Sequence, residues 1–163
     1  MDIWLLRHAA AQERAPSGRD EDRELTPEGF ARAAAVGRGL AALSPPIVVV
    51  LASPLIRARQ TAEASATALG LEAPRPWAGL LPGTDPSRTI QELAREGWRS
   101  VLLVGHQPLL GALVGLLLFG DARQEIPLRK AAVARLSWTP GGSGTLEGFV
   151  PPEILERLGS AGR

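Results

Sequence analysis

The chain contains two histidines, and each follows an apolar, strand-like run. His8 ends the run DIWLLRH, and His106 ends the run SVLLVGH. Arg7 precedes the first histidine, and Arg57 comes soon after a third apolar run, IVVVLASP. Because open α/β sheets bind ligands at the carboxyl ends of their parallel strands, we expect these four side chains to meet at one sheet edge. Two imidazoles and two guanidinium groups would bind an anion there and supply a nucleophile.

The expected position of Arg57, near the start of a helix, points to a phosphoryl group as that anion. Helix starts present free backbone N–H groups and a partial positive charge, and the guanidinium fork matches phosphate oxygens. A metal site is the competing interpretation for His8 and His106. Two histidines without a cysteine or a convergent carboxylate make a poor ligand set, and neighbouring arginines repel a cation. The sequence therefore predicts a phosphoryl site that uses neither a metal nor a cofactor.

Five strand-like runs indicate the fold that positions this site. Residues 2–7, 47–52 and 100–104 are continuously apolar, as in strands buried on both faces, and helical patterns between them imply parallel crossovers. Residues 132–138 and 145–150 flank a Gly-rich turn and predict an antiparallel hairpin added to the sheet. We expect a three-layer α/β/α sandwich with a mostly parallel central sheet.

Capping signals delimit the helices. Thr26, Ser53 and Asp85 each precede a proline, the order expected of an N-cap residue and the first helical position. Gly70 and Gly97 are predicted to end the second and third helices. The first helix is predicted to bury residues that recur at helical spacing, with two leucines beside them: Phe30, Ala34, Gly37, Ala41, Leu40 and Leu43.

Composition limits the classes of protein and partner. With 163 residues, 45% hydrophobic and 21% charged, the chain is expected to form a single globular domain over residues 1–163. A net charge of +1 gives no broad field for nucleic acid or anionic lipid. The absence of cysteine excludes disulfides and thiolate catalysis. The sequence carries no signal of oligomeric state.

Two apolar segments resemble targeting or membrane segments. The N-terminus has Asp2 in place of a basic leader, and Arg7 interrupts its apolar run, so we do not expect a signal peptide. Residues 101–119 approach the length of a membrane span, but Gly, His, Gln and Pro in their middle predict a strand, a turn and a helix instead. We expect a cytoplasmic protein that does not contact a membrane.

Four motifs occur in an order that resembles a known family. LLRHA, LTPEG, SPLIRARQTAE and VLLVGHQP are similar to the signatures of the histidine phosphatase superfamily, and the similarity runs from Met1 to about Gly120. The short chain resembles the small bacterial branch that includes phosphohistidine phosphatases. This resemblance implies a phosphoglycerate-mutase-like fold. It also implies that His8 becomes phosphorylated and that Arg7, Arg57 and His106 complete the phosphate pocket.

The residues and the resemblance lead to the same expected mechanism. His8, kept neutral by the two neighbouring arginines, attacks phosphorus in line, because nearby cations disfavour its protonated form. The arginines, and His106 if it is protonated, stabilise the charge that develops on the equatorial oxygens. A phosphohistidine intermediate forms, and water hydrolyses it.

The sequence departs from the broader family at three places. Ala9 stands where many members have Gly, and Arg14 falls where mutase-like members have an Asn on the phosphate. The segment RPWAGLLPGTDPSR, where the family carries its acidic proton donor, has Asp85 as its only carboxylate, and we interpret Asp85 as a helix cap rather than as the acid. The loop 12–24 is expected to be long and exposed, with its acidic run 20–22 simply solvated.

The absence of a clear general acid affects the choice of substrate. An alkoxide leaving group needs a proton donor, whereas an imidazole can leave from phosphohistidine already protonated. The hypothesis is therefore a phosphatase that acts on phosphohistidine in another protein. Two alternatives remain: a small-molecule phosphomonoesterase with Asp85 as its acid, and a phosphoprotein-binding module without turnover.

Overall fold

The computed structural model describes residues 1–161, which form a six-stranded sheet with helices on both faces. The elements in chain order are β1 (Asp2–Arg7), α1 (Pro27–Ala42), β2 (Val49–Ala52), α2 (Ile56–Leu69), β3 (Arg75–Pro76), α3 (Pro86–Glu96), β4 (Ser100–Gly105), α4 (Leu109–Phe119), β5 (Val133–Ser137), β6 (Thr145–Val150) and α5 (Pro152–Ala161). Single 3₁₀ turns occur at Asp20–Asp22 and Ala78–Leu80.

The strand order across the sheet is β3-β2-β4-β1-β5-β6. The first four strands in that order are parallel, and β5 and β6 form the antiparallel hairpin. The predicted α/β/α sandwich with a mostly parallel sheet is thereby confirmed. Because β1 pairs directly with β4, the residues that follow these two strands become neighbours at the carboxyl edge of the sheet.

Two apolar cores lie on opposite faces of the sheet. Successive side chains of a strand point to opposite faces, so Leu5 joins the core that contains α3 and α4, and Leu6 joins the core that contains α1, α2 and α5. Both leucines are fully buried. This double burial explains why the strands have continuous apolar runs and no polar alternation.

The predicted buried face of α1 is correct for Gly37 and Leu40 and wrong for Phe30 and Leu43, which are 46% and 42% exposed. Ala33 and Val36, which were not predicted, are buried. Glycines orient this helix, because they allow other backbone segments to approach it closely. A Cβ at residue 39 would lie 1.9 Å from the Leu155 carbonyl oxygen, and a Cβ at residue 29 would lie 1.9 Å from that of Ala10.

The capping predictions are correct at two of the three helix starts. The side chains of Thr26 and Asp85 accept hydrogen bonds from the backbone N–H groups of Gly29 and Ser87. Ser53 is not an N-cap, because α2 begins at Ile56 after Leu55. Arg57 is therefore the second residue of its helix, near the helix start as predicted. Gly70 and Gly97 end their helices in the left-handed conformation, as predicted.

Within residues 1–161, no helix is long and apolar enough to cross a membrane.

Candidate active site

The structure brings the four predicted site residues to one cavity at the carboxyl edge of the sheet. Arg7 ends β1 and His8 follows it, His106 follows β4, and Arg57 lies in the first turn of α2. The two imidazole rings lie with centroids 5.0 Å apart and planes inclined by 54°. The cavity has a volume of about 330 Å³, and its lining comprises Arg7, His8, Ala11, Asp20, Arg23, Arg57, Pro82, His106, Gln107 and Lys130.

One hydrogen bond determines which nitrogen of His8 is free. Its Nδ1 lies 2.7 Å from the carbonyl oxygen of Ala9. Because a carbonyl only accepts, Nδ1 must carry the proton. In the neutral ring Nε2 then holds an unshared electron pair, which is the state that a nucleophilic nitrogen needs.

Burial keeps both histidines neutral. Desolvation is the largest cause that lowers the pKa of His8 to about 4, and the charges of Arg57 and Arg7 lower it further, against the opposing effect of the Ala9 hydrogen bond. Desolvation also dominates in lowering the pKa of His106 to about 3, with the charges of His8 and Arg57 contributing. The two arginines therefore lower the pKa of His8 as expected, but burial lowers it more than they do.

Three nitrogens of the site are buried without a hydrogen-bond partner. They are Nε of Arg7, Nε of Arg57 and Nδ1 of His106. Leaving a buried polar group unpaired costs about 1–3 kcal/mol, so such groups in a native structure require an explanation. The oxygens of a phosphoryl group would accept hydrogen bonds from the two arginines, and from His106 when its Nδ1 carries a proton.

The prediction that the acidic run 20–22 is simply solvated is wrong for Asp20. Arg57 donates through its two terminal nitrogens to the backbone oxygen and to Oδ2 of Asp20, at 2.8 and 2.9 Å. Arg23 donates from Nε to Oδ1 at 2.9 Å. Partial desolvation opposes ionisation, but the hydrogen bond from Arg57 and the charges of both arginines outweigh it, so the pKa of Asp20 lies below its usual value.

Hydroxyl side chains hold the site in place, and the sequence did not identify their contacts. Thr61 Oγ1 accepts from the backbone N–H of Ala9 at 3.1 Å and donates to the Arg57 carbonyl at 2.8 Å, which ties the segment after β1 to α2. Ser53 Oγ lies 2.9 Å from Nε2 of His106. Both lie in the motif SPLIRARQTAE, which was the available signal, although the sequence pattern predicts only a capping role for Ser53.

A turn after α4 supports Arg7 and places Lys130 at the cavity. Arg7 donates from Nη1 to the Leu128 carbonyl at 2.9 Å, and its own carbonyl accepts from the N–H of Ala131 at 3.0 Å. Ala131 has φ +61°, a conformation that side-chain-bearing residues rarely adopt. Lys130 and Arg23, which sequence reasoning did not select, thus add two cations to the cavity wall.

Comparison with known proteins identifies the family of this chain. Residues 3–80 match the model of the histidine phosphatase superfamily (branch 1). The chain is 31% identical over 159 residues to the phosphohistidine phosphatase SixA of Escherichia coli, covering 93% of this chain and 94% of that protein. It is 32% identical over 165 residues to the SixA homolog of Haemophilus influenzae, covering 94% and 98% respectively.

The chain belongs to the histidine phosphatase superfamily.

A solved structure supports the same assignment at the level of the fold. The protein histidine phosphatase SixA complexed with tungstate superposes with a TM-score of 0.84 and 31% identity, over 95% of this chain and 99% of that one. The predicted resemblance and the predicted phosphoglycerate-mutase-like fold are therefore confirmed, as is membership of the short bacterial branch. The protein is a phosphatase.

Asp85 and Arg14, two positions at which the sequence departs from the broader family, do not line the cavity. Asp85 Oδ1 accepts from the backbone N–H of Ser87 at 2.9 Å and caps α3, in agreement with our interpretation. Arg14 is exposed. Among residues 1–161, no group of three or more His, Cys, Asp and Glu side chains is placed to hold a metal ion.

The two histidines of this phosphatase are expected to remain neutral well below pH 6. Because both pKa values are lowered from 6.5, the unfolded chain binds protons near pH 6.5 while the folded protein does not. The free energy of unfolding should therefore fall as the pH drops from 6.5 towards about 4. NMR of the imidazole resonances would measure both titrations directly, and added inorganic phosphate should raise both midpoints. Midpoints at or above 6.5 without phosphate would contradict this prediction.

Proposed function

We propose that this phosphatase is metal-independent, forms a phosphohistidine intermediate on His8, and acts on phosphohistidine in another protein. The observation that supports the mechanism most strongly is the meeting, in one cavity, of a free His8 Nε2 and three buried nitrogens without partners. Arg7 and Arg57 supply the positive charge that phosphoryl transfer requires. Positioning and electrostatics account for most of the catalysis in such a reaction.

The first chemical step transfers the phosphoryl group to the enzyme. His8 Nε2 forms a bond to phosphorus as the bond to the leaving group breaks, and the electron pair of that bond remains with the leaving group. The Nδ1 proton stays on the ring, where the Ala9 carbonyl holds it. The Nε groups of Arg7 and Arg57 are available to donate to the equatorial oxygens as their charge develops.

The second step returns the enzyme to its starting state. Water attacks phosphorus, and the electron pair of the nitrogen–phosphorus bond returns to Nε2. One proton of the water stays on the oxygen that has joined phosphorus and the other passes to a second phosphate oxygen, so that dihydrogen phosphate leaves. His106 lies beside His8 and faces the same cavity. It can donate to a phosphate oxygen when its Nδ1 carries a proton, and Ser53 holds its Nε2.

The carboxylates of the chain support an imidazole leaving group over an alkoxide. Asp85 caps α3, and Asp20 is held ionised by two arginines, so neither is suited to donate a proton. An alkoxide needs that proton, whereas a protonated phosphoimidazole releases neutral imidazole without one. The relatives named phosphohistidine phosphatase agree with this choice of substrate.

The test is phosphate release in EDTA from free phosphohistidine and from a sugar phosphate. We expect EDTA-resistant turnover of phosphohistidine with a kcat/KM at least about 100-fold above that for the sugar phosphate. The sugar alkoxide would have to leave without a general acid, and a general acid typically accelerates such a step about 100-fold or more. Turnover of the sugar phosphate alone would favour the small-molecule phosphomonoesterase. No turnover of either substrate by folded protein that still binds phosphate would favour the binding module.

Asp85→Asn serves as the matched variant in the same experiment. If Asp85 is only a cap, neither substrate should lose activity, and asparagine is itself a good N-cap, so stability should change little. A large loss with the sugar phosphate alone would assign Asp85 the role of general acid.

A further inference from the structure

Asp20 lines the cavity but takes no covalent part in the two phosphoryl-transfer steps. Among the described residues lining the cavity, it is the only one with a negative charge. Its side chain is 63% exposed, whereas that of its partner Arg57 is 4% exposed. The carboxylate therefore lies between the buried floor, where the phosphoryl group would bind, and the solvent from which a protein substrate would approach.

Its two arginines do not use the full hydrogen-bonding capacity of the Asp20 carboxylate. One oxygen accepts from Arg57 and the other from Arg23. An ionised carboxylate offers about four acceptor positions, so about two remain. The Nε of Arg57 is also left free by this contact, so Asp20 does not need to move when a phosphoryl group binds.

The chemistry of the first step is favoured by such an acceptor. Phosphoryl transfer from phosphohistidine to His8 exchanges one imidazole for another on phosphorus. On the enzyme side, the ring nitrogen away from phosphorus keeps its proton because the Ala9 carbonyl accepts from it at 2.7 Å. The substrate imidazole needs the same arrangement, because it leaves as a neutral ring only if its distal nitrogen remains protonated throughout the transfer.

We propose that Asp20 determines leaving-group specificity by accepting a hydrogen bond from the distal ring N–H of the substrate phosphohistidine. The contact stabilises the protonated phosphoimidazole, whose P–N bond then breaks with its electron pair moving to the departing nitrogen. The distal proton stays in place, and a neutral imidazole leaves. This inference rests on the proposed function and names the group that replaces a general acid.

The other polar groups at the cavity do not fit this role. Gln107 uses its amide for the backbone, accepting from the N–H of Gly111 and donating to the Leu128 carbonyl. Lys130 and Arg23 are cations and cannot accept a hydrogen bond. An aryl phosphate, in contrast, releases an anion, which the carboxylate of Asp20 would repel.

The experiment compares Asp20→Asn with wild type on phosphoimidazole and p-nitrophenyl phosphate. We expect the ratio of the two kcat/KM values, phosphoimidazole over aryl phosphate, to fall roughly 10- to 100-fold, as for a lost hydrogen bond to a charged group. Asp20→Glu should recover part of the ratio. Asp22→Asn is the matched control, since Asp22 belongs to the same turn but contacts Ser17 and not the cavity, and it should leave the ratio unchanged.

A ratio that stays within threefold of wild type in Asp20→Asn overturns the inference. Equal losses on both substrates would mean that Asp20 only positions Arg57, and no loss on either would mean that it has no part in turnover. The proposed function is judged separately, by whether wild-type turnover of phosphoimidazole occurs and disappears in His8→Ala. Binding of inorganic phosphate to the Asp20→Asn protein verifies that its pocket is still formed.

Discussion

Replacing His8 with alanine is expected to abolish phosphate release from both phosphohistidine and p-nitrophenyl phosphate, by at least about 10,000-fold in kcat, as when other enzymes lose their nucleophile. His8 Nε2 is the proposed nucleophile, because the Ala9 carbonyl holds the proton on Nδ1 of the same ring, whereas Nε2 of His106 contacts Ser53 and Nδ1 of His106 is buried. Water would have to attack the substrate directly in the variant. Phosphate release, measured in EDTA for both substrates, provides the comparison with wild type.

The His8→Ala protein should remain folded and should still bind phosphate. The hydrogen bond of the His8 ring goes to the carbonyl of the next residue, Ala9, so its loss does not remove a link between distant segments. Arg7 and Arg57 keep their own contacts and continue to attract an anion. Acid quench of wild type during turnover should trap a phosphorylated protein that is absent in the variant. Retention of more than one per cent of wild-type activity in the variant would refute the covalent mechanism.

Replacing Arg57 with alanine should lower kcat/KM about 100- to 1000-fold, the range for losing one preorganised donor to a developing negative charge. The side chain is buried, its Nε has no partner, and its two terminal nitrogens are held by Asp20. Arg57→Lys should recover little, because an ammonium cannot keep the Asp20 contacts and donate to phosphate in the same fixed geometry. Steady-state kinetics on both substrates measure the loss.

Arg59→Ala is the matched control for that variant. Arg59 lies two positions further along α2, where residues do not share a helix face, and it is exposed. Its removal should change kcat/KM less than twofold. A loss below tenfold in Arg57→Ala, or a similar loss in both variants, would count against a phosphate contact by Arg57. Thermal unfolding of both variants separates loss of activity from loss of fold.

Local sequence patterns determined most of the architecture. Apolar runs too short for helices and without alternation specify strands buried on both faces, and β1 and β4 correspond closely to the predicted ranges. Capping chemistry acts within a few residues, so Thr26 and Asp85 could be assigned without knowledge of their surroundings. The placement of His8 and His106 at the same edge also followed from sequence, because parallel strands bring their carboxyl ends to one edge; their contact requires in addition that β1 lies beside β4.

Tertiary structure alone decided which side chains from distant parts of the chain contact the site residues at the carboxyl edge of the sheet. Asp20 and Arg57 are 37 residues apart, and Ser53 and His106 are 53 apart, so no local periodicity relates the members of either pair. The large share of burial in lowering the pKa of His8 is likewise a property of the assembled core. The sequence by itself determined the elements and the chemistry at their ends, since these depend on neighbours along the chain. The contacts that orient that chemistry exist only after distant segments have packed together.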